Sequence, residues 1–87
     1  MKFIDVAVYK NERFSIEMDV DSGKHYITFP VFIGVAEYSE FYEITEEEFK
    51  QFTVYSNNLK KFVKDCKERK NDNRLLMKPG KLRGSPC

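Results

Sequence analysis

A change of hydrophobic period near residue 45 is the feature that most constrains this fold. Before it, apolar and polar residues alternate in four short segments, the pattern of strands with one buried face. The segments lie at 3–9, 14–20, 25–31 and 37–44. Only short turns separate them, and parallel pairing would need long crossovers, so the pattern predicts an antiparallel meander.

Helical spacing replaces this alternation after residue 45. Thr45 and Glu48 form a capping box, in which each side chain can bond the backbone N–H of the other residue. Phe49 and Phe52 then share one helix face. A second helical pattern over residues 59–66 places apolar residues on one side and lysines on the other.

The length of 87 residues allows one domain, 1–87. We expect an α+β fold, a four- to five-stranded mainly antiparallel sheet with two helices packed on one face. Residues 32–34 are predicted to form a loop, and residues 75–77 are the candidate fifth strand. The tail at about 81–87 is predicted to be frayed.

Composition predicts a cytoplasmic protein. Mean hydropathy is −0.57, and no apolar run approaches the roughly 18 residues of a membrane span. Asp5 is an acid in the segment that would be the apolar stretch of a signal peptide, so secretion is not expected. Two cysteines are too few for a secreted disulfide framework, and Cys66 falls on the apolar side of the second helix.

No residue pattern indicates catalysis, a metal site or a cofactor. The one histidine, His25, has the strand parity of Ile27 and Phe29, which indicates a partly buried residue without a nucleophile beside it. One histidine and two distant cysteines cannot supply a zinc site. We therefore expect a protein that is not an enzyme and holds no cofactor.

An acidic, tyrosine-rich corner is the candidate partner-binding site. Residues 37–48 hold six acids and no base, and such acids mixed with tyrosines suit an interface with a basic protein. Strand alternation is taken to point Tyr42 outward and Phe41 toward the helices. The predicted binding residues are Glu37, Tyr38, Glu40, Tyr42, Glu43, Glu46 and Glu47. The structural alternative is that these residues are core, cap and solvated surface.

The Lys-rich helix 59–70 offers a competing site. Residues 1–50 carry five Lys or Arg against eleven acids, whereas residues 51–87 carry ten against three. The helix could therefore bind phosphates as a small nucleic-acid-binding module. The sequence pI of about 7.7 and the lack of aromatics after Phe62 favour a solvated face, so no direct nucleic-acid binding is expected. An adaptor subunit is a further alternative.

Residues 19–31, then 42–49, then 78–80 with 83–84, resemble small bacterial immunity proteins of polymorphic toxins and contact-dependent growth-inhibition systems. The likeness covers most of the chain through a hairpin, a capped helix and a tail. It implies a cytosolic antidote that binds a cognate toxin domain and blocks its active site. The implied toxin is a basic nuclease, with an RNase favoured over a DNase. Immunity families share no catalytic residues, so none is assigned.

Overall fold

The computed structural model describes residues 2–33, 35–76 and 85–86, and the fold is α+β, as the sequence predicts. Its main elements, in chain order, are β1 (Phe3–Tyr9), β2 (Phe14–Asp19), β3 (His25–Ile33), β4 (Ala36–Ile44), α1 (Glu46–Val54), α2 (Ser56–Lys67) and β5 (Ser85–Pro86). A 3₁₀ turn, Asp72–Arg74, follows α2. No helix in the described part of the chain is long and apolar enough to cross a membrane.

Strands β1 to β4 form the predicted antiparallel meander, in the order β1-β2-β3-β4. β5 pairs with β3 at Val31 and Phe32, beyond the part of β3 that β2 covers. Buried side chains of the sheet and both helices form one core between them. The core residues are Phe14, Ile16, Ile27, Phe29, Tyr42, Ile44, Phe52, Leu59, Val63 and Cys66.

Predictions for three segments, a loop, a strand and the tail, differ from the structure or lie partly outside the described residues. The predicted loop at 32–34 is strand as far as Ile33, and Gly34 lies outside the described residues. The candidate strand at 75–77 is reduced to one bridge between Leu75 and Tyr42, and residue 77 is not described. Of the tail predicted to be frayed, only residues 85–86 are described, and they form β5.

β1 departs from its predicted alternation because of a bulge. The register with β2 shifts between Asp5 and Ala7, so one extra residue is inserted there and the phase of the strand changes. After the shift, Ala7 and Tyr9 pack against the core. Val6 and Val8 instead remain 41% and 54% exposed. The regular apolar alternation of β1 therefore does not mark one buried face.

Local side-chain bonds fix the β2–β3 turn and the start of α1. Asp19 accepts hydrogen bonds from the Asp21 N–H at 3.1 Å and the Ser22 hydroxyl at 2.8 Å. Gly23 follows with φ +75°, a left-handed conformation that glycine adopts without strain. The predicted capping box is confirmed, because Thr45 and Glu48 exchange bonds of 2.9 and 3.1 Å.

Cys66 lies in the core with 1% of its surface exposed, and burial raises the pKa of its thiol to about 12. We expect Cys66 to resist alkylation at pH 8 in the native state, because its thiolate is scarce and inaccessible. The measurement is iodoacetamide labelling followed by mass spectrometry in a Cys87→Ser variant, whose only remaining thiol is Cys66. Labelling as fast in buffer as in urea would contradict its placement in the core.

Candidate functional site

The predicted acidic corner is divided between the two ends of β4. Glu37 and Tyr38 lie near its start, whereas Glu46 and Glu47 are exposed in the first turn of α1 after its end. At about 3.3 Å per strand residue the two groups are separated by roughly 20–25 Å. These residues therefore do not form the single patch that the sequence predicts.

The predicted orientation of Tyr42 is wrong. Tyr42 is fully buried and faces the helices, and its hydroxyl oxygen lies 3.3 Å from the Cys66 carbonyl oxygen. Phe41 points to the other face, where its ring stacks on Phe3 with centroids 4.7 Å apart. The physical reason is that alternate residues of a strand point to the same face, so Tyr42 points to the core face with the buried Ile44. Its hydroxyl also has a hydrogen-bond acceptor inside the domain, the Glu40 side chain.

Glu40 is also buried rather than presented to a partner. Only 7% of its surface is exposed, and its carboxylate accepts from the Tyr42 hydroxyl at 2.9 Å and the Tyr38 hydroxyl at 3.3 Å. Tyr38 itself is 36% exposed. Glu40 and Tyr42 thus belong to the internal packing of the domain.

The sheet face opposite the helices, here called the helix-distal face, gathers acids from three strands. Asp5 of β1 pairs with Glu17 of β2, Glu17 pairs with Tyr26 of β3, and Tyr26 pairs with Glu43 of β4. This cross-strand line of Asp5, Glu17, Tyr26 and Glu43 is called the acidic row. Of its members, the sequence predicted only Glu43 as a site residue.

The acidic row concentrates negative charge. Partial burial raises the pKa of Glu17, and the Asp5 carboxylate raises it further. Burial likewise raises the pKa of Tyr26, with smaller contributions from Glu43 and Asp19. Like charges directly opposite each other in a sheet are destabilising. The Asp5–Glu17 pair is thus expected to lower the stability of the sheet.

Ion pairs compensate little of this charge. Glu43 lies 3.6 Å from the Lys24 ammonium, and both side chains are about half exposed. Within the described ranges, no ion pair involves Asp5, Glu17 or Glu37. Glu37 occupies the same helix-distal face, opposite Phe32. In the described part of the chain, three carboxylates of this face therefore form no ion pair.

Aromatic rings lie beside the acidic row on the same face. Phe3 meets Tyr26 edge to face with centroids 5.5 Å apart, and Phe41 meets Tyr26 in a similar geometry at 6.4 Å. Phe3 and Phe41 are each partly exposed. Carboxylates beside partly exposed aromatic rings combine attraction for cations with apolar contact area, as protein interfaces do.

The competing lysine-rich surface, predicted as a helix over 59–70, comprises α2, which ends at Lys67, and the turn after it, and it is partly neutralised within the chain. Lys60 lies 3.8 Å from Glu12, and Lys70 lies 3.0 Å from Glu68. Lys67 lies over the Phe29 ring at 5.6 Å. Lys60, Lys64 and Lys67 nevertheless line one groove with Phe14, which keeps phosphate binding there as an alternative.

His25 is partly buried, as predicted, and its ring stacks on Phe49 with centroids 4.0 Å apart. In the described part of the chain no three His, Cys, Asp or Glu side chains are grouped as metal ligands. Comparison with protein-family models, curated proteins and solved structures finds no match for this chain. Its function is therefore inferred from the chemistry of its surface.

Proposed function

We propose that this chain is an immunity protein, a stoichiometric inhibitor that binds a cognate toxin domain through its helix-distal face. The observation that carries the proposal is the acidic row, in which Asp5 and Glu17 lie opposite each other and form no ion pair among the residues that the structure describes. A basic partner would supply the missing positive charge. The resemblance of residues 19–31 and 42–49 to immunity proteins supports the same function.

The proposed mechanism is occlusion of the toxin active site without turnover. A nuclease binds its substrate through a basic groove, because the nucleic-acid backbone carries one negative charge per nucleotide. Carboxylates of the acidic row and Glu37 would occupy that groove in place of phosphates, and Phe3 and Phe41 would add apolar contact. We propose that the toxin is a nuclease, with an RNase favoured over a DNase. We also propose that the inhibitor binds it in the cytoplasm. The inhibitor needs no cofactor.

The paired substitution Asp5→Asn with Glu17→Gln tests this proposal. We expect the variant to be more stable to urea by about 0.2–1 kcal/mol, because a like-charge pair is removed. We also expect association with a cognate toxin domain, to be sought in the gene upstream, to be about tenfold slower and less sensitive to salt. The measurements are urea unfolding, stopped-flow binding and growth protection on co-expression.

The matched control is Lys61→Gln with Lys64→Gln, which removes two exposed charges from α2. Toxin binding should be nearly unchanged in this variant. If the lysine variant loses binding and the acidic-row variant keeps it, the proposed surface is wrong. RNA binding that the lysine variant abolishes would support the nucleic-acid module instead. Failure of the wild-type chain to bind an adjacent toxin, or the lack of a toxin gene there, would contradict the proposed function.

A further inference from the structure

β1 is an edge strand whose outer side is uncovered. It pairs with β2 along its inner side, and no strand in the described part of the chain pairs with its other side. An edge strand presents a row of backbone N–H and C=O groups to which another chain can pair. Three aliphatic side chains of β1 are also exposed, Ile4 by 45%, Val6 by 41% and Val8 by 54%. β1 therefore has the backbone and the apolar surface of a strand that pairs between chains.

The bulge between Asp5 and Ala7 gives β1 the same order of faces in both directions along the strand. Phe3 and Asp5 lie on the helix-distal face before the bulge. Val8 and Lys10 lie on it after the bulge, because Ala7 packs against the core and strand residues alternate. The residues of this face are thus placed symmetrically about the midpoint between residues 6 and 7. Such a strand can pair antiparallel with its own copy and keep each side chain on its own face of the sheet.

The charges of β1 are complementary in the register that this symmetry fixes, with Asp5 opposite Val8 of the second copy. Lys10 of the second copy then lies opposite Phe3 and diagonal to Asp5. Asp5 and Lys10 are both exposed, and neither forms an ion pair within the described ranges. Diagonal neighbours are about 7–8 Å apart, within reach of a long side chain. The two-fold symmetry therefore allows two Asp5–Lys10 ion pairs and places two ammonium groups beside Phe3 rings.

We propose that two copies of this chain form a symmetric dimer by antiparallel pairing of their β1 strands in this register, which joins their sheets into one. One strand pair is a small interface, so the dimer should be weak and reversible, with a dissociation constant of about 1–100 µM. Glu17, Glu37 and Glu43 remain on the open helix-distal face of this dimer. Dimer formation requires no toxin, so its failure and the failure of the proposed function are separate results.

Sedimentation velocity of the full chain without toxin, between about 5 and 500 µM and at low salt, tests the dimer. Asp5→Lys and Lys10→Glu should each weaken association at least about tenfold, because each places two like-charge pairs across the interface. The two changes combined should restore the wild-type dissociation constant to within about threefold. Residues 5 and 10 are roughly 16 Å apart along one strand, so this rescue can arise only between chains.

Lys61→Glu is the matched control, since it makes the same change of charge at an exposed position of α2 and should dimerise as the wild type does. Circular dichroism checks folding, and Asp5→Lys should fold because the new ammonium lies opposite Glu17. Amide hydrogen exchange should slow over residues 3–10 as the concentration rises, and stay constant in α1. A chain that is monomeric at the highest concentration overturns the proposal. A dimer that the single variants leave intact, or that the combined variant does not restore, overturns it as well.

Discussion

Tyr42→Ala is expected to lower the free energy of unfolding by about 3–5 kcal/mol, as for other large aromatic side chains removed from a core. Tyr42 is fully buried, and its ring stacks on Phe29 with centroids 5.5 Å apart. Small domains have total stabilities of about 5–15 kcal/mol, so the variant should be largely unfolded at modest urea concentrations. Urea unfolding followed by far-UV circular dichroism measures the loss.

Tyr42→Phe separates the hydroxyl from the ring. The Tyr42 hydroxyl donates to the Glu40 side chain at 2.9 Å, and its loss should cost about 1–3 kcal/mol because a buried acceptor loses a donor. Tyr55→Ala is the control, since Tyr55 is 61% exposed and should change stability by about 0.5 kcal/mol or less. Unchanged unfolding of Tyr42→Ala would contradict the internal role of Tyr42.

The fold could be predicted because its determinants are local. Alternation in β2 and β3 marks one apolar face, and the capping box at Thr45 and Glu48 depends only on residues three apart. The phase of β1 could not be predicted, because the bulge between Asp5 and Ala7 leaves no distinctive residue in the sequence.

The site was harder to predict than the fold because it depends on register. The sequence shows that residues 37–48 are acidic, but not which of them point outward. Asp5 and Glu17 are twelve residues apart, and only the β1–β2 pairing brings them together beside Tyr26 and Glu43. In the sequence, Asp5 and Glu17 each stand between apolar residues of a strand. This alternation indicates that their side chains are exposed, but it does not indicate that they lie close to each other.

The Glu48–Arg74 ion pair is expected to make the stability of the domain depend on pH. Arg74 donates to the Glu48 carboxylate at 2.7 Å and to the Glu43 carbonyl at 3.3 Å, so it joins the end of β4 to the start of α1. Burial alone would raise the pKa of Glu48, but hydrogen bonds from Arg74 and Thr45 outweigh it and lower the pKa below 4.5. The ionised form of Glu48 is therefore favoured by folding.

Glu48→Gln should lower the free energy of unfolding at pH 7 by about 1.5–3 kcal/mol, the range of hydrogen bonds to charged groups. The pKa of Glu48 is lower in the folded state than its ordinary value of 4.5. The stabilisation by its carboxylate is therefore fully present above pH 4.5, and it is lost as the pH falls below 4.5 and through the lower pKa of the folded state. The difference between wild type and variant should therefore shrink toward pH 3, as measured by urea unfolding at both pH values. Glu47→Gln, its exposed neighbour, should show a small difference at each pH. A constant deficit of Glu48→Gln from pH 7 to pH 3 would mean that the carboxylate charge does not stabilise this joint.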